Sequence, residues 1–131
     1  MARALSAYLS RDKVPERKSL QQGIDALKLP LKLDGDYVPF ETSGYLPFTL
    51  DGEDAGFDLR FCEVAADVAS ALSLGERNVA LNLKWGGDPR EEAAALIFCA
   101  ALANGFDAIV QGTEPLSVKQ LVAKARGLLE G

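Results

Sequence analysis

Apolar and polar residues alternate in two stretches near the middle of the chain, a pattern typical of strands with one buried face. The alternating apolar residues are Leu46, Phe48 and Leu50 in the first stretch and Phe57, Leu59 and Phe61 in the second. The six residues between them, DGEDAG, predict a solvent-exposed hairpin turn. Because Pro47 has no amide proton, we expect the first of these strands to lie at an edge of its sheet.

Further strands follow from the same pattern elsewhere in the chain. The cleanest alternation predicts a strand with the apolar residues Val79, Leu81, Leu83 and Trp85. Shorter apolar segments at residues 5–9, 31–33 and 107–111 predict three more strands.

Helical spacing of apolar residues predicts three amphipathic helices. The first begins near Pro15 and ends before Pro30, the second covers residues 63–72, and the third begins at residue 117. Their apolar stripes are Leu20, Ile24 and Leu27 in the first; Val64, Val68 and Leu72 in the second; and Val118, Leu121, Val122, Ala125, Leu128 and Leu129 in the third. Ser117 and Gln120 form a capping box for the third helix.

A fourth helix is predicted by the unbroken apolar run at residues 93–103, which is too short to cross a bilayer and is typical of a helix buried on all sides. The Asn104–Gly105 pair after it predicts closure in a left-handed residue. Before the run, Asp88 suits an N-cap, Pro89 the first helical position and Glu91 the third.

The paired glycines Gly86 and Gly87 precede this helix and raise the possibility of a phosphate-binding loop. Neither the GxGxxG nor the GxxxxGK[ST] spacing is present. Asp88, Glu91 and Glu92 also occupy the place that an anion would need. We therefore interpret the glycines as a tight turn between a strand and a helix.

These elements predict an α+β fold, formed as one globular domain over residues 1–131. The sheet is expected to be mostly antiparallel or mixed, with helices packed on one face. With 48% hydrophobic residues, a chain of 131 residues can bury one substantial core.

Charge is unevenly distributed within a net charge of −5. Residues 34–67 contain nine acidic residues, and Arg60 is the only basic one among them. The acids are Asp34, Asp36, Glu41, Asp51, Glu53, Asp54, Asp58, Glu63 and Asp67. An acidic chain without a basic stripe argues against binding to nucleic acid or to an anionic membrane. This acidic segment is either a solvated surface or a docking surface for a basic protein.

Several chemistries lack the residues that they need. The chain has no histidine, which argues against histidine-assisted nucleophilic catalysis and the commonest zinc ligand. Compared with a calcium loop starting at Asp51, Ala55 and Cys62 stand where oxygen ligands are required. We therefore predict no catalytic residue, no cofactor and no metal site.

The amino-terminal residues and the two cysteines indicate a compartment. The amino-terminal residues do not have the pattern of a signal peptide, which predicts a cytoplasmic protein. Cys62 and Cys99 both stand in apolar surroundings and are predicted to be buried and reduced.

The segments SGYLPFTLDGEDAGFDLRF and ALNLKWGGD resemble those of small bacterial α/β proteins. The small acidic chain is also similar in overall character to bacterial immunity proteins. No family motif is matched residue by residue, so the resemblance implies no activity and no site residue.

Two hypotheses of function follow. The first is a non-catalytic binding protein, an immunity or regulatory module, that engages a basic protein through Asp51, Glu53, Asp54, Asp58 and Tyr45. The second is a small-molecule-binding protein or enzyme, with its site at Lys84, Trp85, Arg90 and the loop from Thr42 to Tyr45. Element ends that carry polar and aromatic residues are common places for ligand sites. Oligomeric state is not predicted by the sequence.

Overall fold

The computed structural model describes residues 4–34, 36–112 and 115–130, with the backbone alone for Glu130. Its elements, in chain order, are β1 (Ala4–Leu9), α1 (Arg17–Ala26), β2 (Leu31–Leu33), β3 (Ser43–Leu50), β4 (Glu53–Glu63), α2 (Ala66–Ala71), β5 (Val79–Lys84), α3 (Pro89–Gly105), β6 (Ile109–Gln111), β7 (Pro115–Leu116) and α4 (Val118–Glu130). A 3-10 turn, Arg11–Lys13, follows β1.

The strands form one antiparallel sheet in the order β2-β3-β4-β5-β1-β6-β7. Helix α3 packs against β1, β3, β4 and β6, and α1 and α4 pack against α3. The predicted α+β fold, with an antiparallel sheet and helices on one face, is confirmed. The other face of the sheet, called the open face here, carries polar side chains such as Ser6 and Asn82, which are hydrogen-bonded at 2.7 Å.

Strand alternation places the large apolar side chains of the central hairpin beneath α3. Phe48 and Phe57 stack with ring centroids 4.9 Å apart, and the Phe98 ring meets Phe57 edge-on at 5.3 Å. These three rings are almost completely buried. Aromatic pairs in these geometries add stability beyond the area that they bury.

Helix α3 is buried on all sides over residues 93–102, as its apolar run predicts. Its start is capped as expected: the Asp88 carboxylate accepts from the Arg90 amide at 2.9 Å, and Pro89 takes the first helical position. The Glu91 carboxylate accepts from the Gly86 amide at 3.0 Å. The glycine turn before α3 is therefore closed by the chain's own carboxylates.

The end of α3 differs from the prediction. Gly105 remains in the helix, and the left-handed residue is Asp107, with φ of 59°. Aspartate tolerates this conformation better than most side chains. Its carboxylate also forms ion pairs with Lys13 at 3.3 Å and Arg77 at 3.1 Å, which hold it in place.

The β3–β4 hairpin is tighter than its sequence suggested. Leu50 pairs directly with Glu53, so the turn consists of Asp51 and Gly52 alone, with φ of 52° and 82°. Positive φ at both central residues is typical of the type I′ turn, for which Asp-Gly is a preferred sequence. The prediction of a six-residue turn was wrong, because residues 53–56 belong to β4.

The prediction that Pro47 marks an edge strand was also wrong, because β3 lies between β2 and β4. The Asp34 amide donates to the Pro47 carbonyl at 3.2 Å. Since the nitrogen and oxygen of one strand residue point to the same side, the missing amide proton of Pro47 faces the side of β2. Strand β2 ends at Leu33, so the regular ladder already stops there.

The edge strand β2 is covered by a side chain of α1. The Gln21 carboxamide donates to the Leu31 carbonyl at 3.1 Å and accepts from the Leu33 amide at 2.8 Å. Gln21 therefore satisfies both backbone groups as a neighbouring strand would. This contact protects an edge that could otherwise pair with another chain.

The structure confirms the predicted capping box and the three short strands, but one predicted helix is shorter than expected. The capping box is confirmed, because the Gln120 amide donates to the Ser117 hydroxyl at 3.1 Å and the Ser117 amide to the Gln120 side chain at 2.8 Å. Strands are present near residues 5–9, 31–33 and 107–111. The helix predicted over residues 63–72 is shorter, because β4 continues through Glu63.

Cys62 corrects the prediction of two buried thiols. Cys99 is buried within α3, whereas Cys62 is exposed on β4, and both are free. From Asp58 onward, the even-numbered residues of β4 lie on the open face, and Cys62 is one of them.

In the described part of the chain, no helix combines the length and apolar character needed to cross a bilayer.

Candidate functional site

Three predicted site residues from three strands lie side by side on the open face. In the register of the sheet, Tyr45 of β3 is opposite Asp58 of β4, and Asp58 is opposite Lys84 of β5. Side chains in directly opposite positions are close enough to interact. The sheet therefore joins residues from the two sequence hypotheses in one row.

This row forms part of a cleft of about 520 Å³, called the Tyr45 cleft here. The cleft is lined by Tyr45, Gly56, Phe57, Asp58, Arg60, Lys84, Trp85, Gly86 and Glu91. It lies where the open face meets the turn from β5 to α3, and it is open to solvent. The half-buried Trp85 is the only tryptophan of the chain.

Tyr45 is held in the cleft by Gly56. The tyrosine ring lies over this glycine, since a Cβ added at Gly56 would be 2.6 Å from the ring carbon Cζ. Tyr45 nevertheless remains 61% exposed. Because Gly56 has no side chain, the Tyr45 ring can lie across β4. An exposed aromatic ring is thereby held on a paired strand.

The charges around Tyr45 are negative at its hydroxyl end. Partial burial, followed by the charges of Glu91 and Asp54, raises the pKa of Tyr45. Both negative charges disfavour the phenolate, which would be a third anion. The same local potential favours a cation near the ring.

The cleft also contains two cations, Arg60 and Lys84, of which Arg60 is paired within it. The Arg60 guanidinium holds the Asp58 carboxylate through contacts of 2.9 and 3.4 Å. This hydrogen bond and ion pair raise the pKa of Arg60. Lys84 is exposed and forms no ion pair with the residues that the structure describes.

The predicted acids at the hairpin tip are called the hairpin acids here: Asp51, Glu53 and Asp54. All three are exposed, and Glu53 forms an ion pair with Arg90. Within residues 4–34, 36–112 and 115–129, Asp51 and Asp54 take part in no ion pair.

Arg90 does not join Lys84 and Trp85, with which it was grouped from the sequence. It lies in a separate cleft of about 410 Å³, lined by Leu50, Asp51, Glu53, Asp88, Pro89, Arg90, Leu128 and Leu129. Its guanidinium contacts Glu53 and lies 3.9 Å from the Asp88 carboxylate. Arg90 therefore connects the start of α3 with the start of β4.

The segment from Thr42 to Tyr45 is mostly strand rather than loop, because β3 begins at Ser43. Thr42 closes the turn before it, and its hydroxyl accepts from the Val38 amide at 2.7 Å. Tyr45 consequently sits on a paired strand, which fixes its position more firmly than a loop would.

Five lining residues were not among the predicted site residues: Gly56, Phe57, Arg60, Gly86 and Glu91. A signal for part of this set is present in the sequence. Had Asp51–Gly52 been taken as a two-residue turn, counting outward from it would place Pro47 opposite Gly56 and Tyr45 opposite Asp58. No comparable pattern in the sequence indicates Glu91, because it reaches the cleft from α3.

The described residues bear on two chemical options, metal binding and thiol reactivity. Nowhere in the described ranges do three residues among histidine, cysteine, aspartate and glutamate come together in a group that could hold a metal ion. The buried Cys99 thiol has its pKa raised by burial, which disfavours the reactive thiolate.

Comparisons with known proteins add no relative: no protein-family model matches the chain, and it matches no curated protein and no solved structure.

Proposed function

We propose that the chain is a non-catalytic protein-binding module that contacts a basic partner protein through the Tyr45 cleft and the hairpin acids. The observation that carries the proposal is the 61% exposure of Tyr45 on a paired strand, with Trp85 lining the same cleft. Tyrosine and tryptophan are enriched among the residues that dominate binding energy. A ring already fixed over Gly56 loses little conformational freedom on binding.

The charge of the surface supports a basic partner. The chain has a net charge of −5, and Asp51 and Asp54 extend from the hairpin tip with no ion pair among the described residues. Exposed charges of one sign speed encounter with a partner of the opposite sign and help to select it.

The shape of the cleft also favours a protein partner. Sites for small molecules usually bury about 70–90% of the ligand. The Tyr45 cleft is open to solvent along the sheet face, whereas Asp51 and Glu53 line the separate cleft that contains Arg90. A surface of this shape suits a protruding segment of another protein.

Fluorescence of Trp85 provides a direct test, because no other tryptophan contributes. The probe is a terminally blocked peptide rich in arginine and lysine, titrated at low and at raised salt. We expect a saturable change in fluorescence and an affinity that falls as salt screens the charges. Affinity that does not depend on salt would contradict the proposal.

A matched pair of variants separates a specific surface from general attraction. The test variant is Asp51→Asn with Glu53→Gln, and the control is Asp36→Asn with Asp67→Asn, which changes the net charge equally at other exposed acids. We expect weaker binding of the basic peptide by the test variant alone. Equal weakening by both would show that only net charge matters and would overturn the proposed surface.

A small-molecule function of the same cleft is a second candidate, because Lys84 and Trp85 line one cavity of about 520 Å³. A ligand that binds the native state raises the unfolding midpoint by mass action. A thermal-shift screen followed by Lys84→Met would test this candidate. A ligand whose effect is lost in the variant would support it, and a screen without any rise in midpoint would contradict it.

A further inference from the structure

The Tyr45 cleft has the features of a receptor for one kind of side chain. Its exposed Tyr45 ring offers a face to a ligand, and the face of an aromatic ring attracts cations. Glu91 lines the same cleft, and Asp54 stands two residues before Gly56 on β4, over which the Tyr45 hydroxyl lies. An aromatic face with carboxylates beside it is suited to a cationic group.

We propose that the Tyr45 cleft binds an arginine side chain of the partner, with the guanidinium lying on the Tyr45 ring and donating to Glu91 and Asp54. This inference rests on the proposed function, since it names the group of the basic partner that enters the cleft. A guanidinium fits better than an ammonium, because its planar form stacks on a ring while its five N–H donors reach carboxylates at the rim.

Both carboxylates retain capacity to accept this group. Glu91 accepts from the Gly86 amide through Oε1, and a carboxylate has about four acceptor positions in all. Asp54 is exposed and forms no ion pair with any residue that the structure describes.

The two cations of the cleft leave room for a third. Arg60 is directed to Asp58 by two hydrogen bonds, so its charge is already matched. Lys84 is exposed and carries its charge on a long flexible stem that can extend into solvent. Because Lys84 lines the same cleft as Glu91, a guanidinium enters beside Glu91 and Asp54 only with the Lys84 ammonium extended away from the Tyr45 ring.

The chain itself forms comparable contacts elsewhere on its surface. The Arg11 guanidinium lies 4.2 Å from the centroid of the Phe40 ring, and the Arg90 guanidinium pairs with Glu53 in the second cleft. Both contacts involve exposed groups. Ring stacking and carboxylate pairing are therefore available to a guanidinium at this kind of surface.

The test compares terminally blocked peptides of one length that differ at the cationic residue: arginine, lysine or citrulline, the neutral isostere of arginine. Binding is measured by calorimetry to wild type, to Tyr45→Leu and to Glu91→Gln, which retains an oxygen to accept from the Gly86 amide. The control is Tyr8→Phe on the open face outside the cleft. Circular dichroism and the urea midpoint of each variant establish that it is folded.

We expect the arginine peptide to bind wild type and Tyr8→Phe equally, and to lose about tenfold in affinity with Tyr45→Leu and with Glu91→Gln. The citrulline peptide should bind wild type no better than the arginine peptide binds Tyr45→Leu. Should Tyr45→Leu be too unstable, Glu91→Gln alone carries the comparison.

The remaining outcomes separate the inference from the proposed function. If Asp51→Asn with Glu53→Gln weakens binding while Tyr45→Leu and Glu91→Gln do not, the arginine site is overturned, and of the proposed function only binding of a basic partner through the hairpin acids stands. Equal affinity for the lysine and arginine peptides overturns the preference for a guanidinium. If neither basic peptide binds, the proposed function fails together with the inference.

Discussion

The ring of Tyr45 lies directly over Gly56 of the neighbouring strand, and a Cβ at Gly56 would come within 2.5 Å of the tyrosine hydroxyl and 2.6 Å of the Leu46 carbonyl oxygen. A glycine within a paired strand lacks a side chain to pack, which weakens the strand. Here an aromatic side chain covers the vacant position. The same contact therefore supports the hairpin and holds the most exposed aromatic ring of the Tyr45 cleft.

Gly56→Ala is expected to destabilise the protein by about 1–3 kcal/mol, because the new methyl group overlaps both the Tyr45 ring and a backbone oxygen that cannot move freely. Urea unfolding measures the loss. Gly127→Ala in α4 is the control, since its Cβ meets no atom within 4 Å and alanine favours a helix. Equal stability of Gly56→Ala and wild type would contradict the described position of the ring.

Gln21→Ala is expected to destabilise the protein by about 1 kcal/mol, because the Leu31 carbonyl and the Leu33 amide lose their side-chain partner. The uncovered edge of β2 should also promote self-association. Urea unfolding and sedimentation at several concentrations measure the two effects. Gln22→Ala, at the exposed neighbouring position of α1, should change neither quantity.

The two thiols should differ in reactivity. Cys62 is exposed and Cys99 is buried, with a pKa raised by burial. A thiol reagent is therefore expected to label Cys62 alone in the native protein and both cysteines in denaturant. Peptide mapping after labelling identifies the site. Rapid labelling of Cys99 under native conditions would indicate that α3 is not packed as described.

Asp107 should make stability depend on pH in the acidic range. The hydrogen bond from Lys13, together with the charges of Arg77 and Lys13, lowers the pKa of Asp107 from its ordinary value of 3.8. Since the native pKa is the lower one, this contribution to stability is complete above the ordinary value and is lost as pH falls through the native pKa.

The measurement for Asp107 is the urea midpoint of wild type and Asp107→Asn between neutral pH and about pH 2. Asparagine tolerates the positive φ but carries no charge. The difference in urea midpoint between wild type and Asp107→Asn should narrow as pH falls below 3.8, the ordinary pKa of aspartate. A difference that stays constant would contradict the lowered pKa of Asp107.

Local patterns in the sequence predicted the type and the rough place of most elements. Alternation identified β3, β4 and β5, and the capping residues Asp88 and Ser117 placed the starts of α3 and α4. The length of the β3–β4 turn was a local error, whereas the place of β3 in the sheet was predicted wrongly because a distant partner decides it. Pro47 lies inside the sheet because β2 ends beside it, and no residue near Pro47 reveals that pairing.

The candidate site was less predictable than the fold. Tyr45, Asp58 and Lys84 were each named from the sequence, but Lys84 belonged to a different hypothesis from Asp58, because their adjacency depends on the order of the strands. The hairpin part of that order follows from the Asp51–Gly52 turn. The pairing of β4 with β5 spans α2, and the contribution of Glu91 depends on how α3 folds back on the sheet.

The two-residue turn at Asp51–Gly52 also restricts how this hairpin can change in length. Successive side chains of a strand alternate between the two faces of the sheet. One residue inserted into β4 after Asp54 would therefore turn Asp54 toward the opposite face relative to Asp58. Insertions that leave the Tyr45 cleft intact must therefore come in even numbers on each strand, or be absorbed in a bulge. An exposed loop would tolerate insertions of any length, whereas in this hairpin an odd number of inserted residues would turn part of the surface to the opposite face.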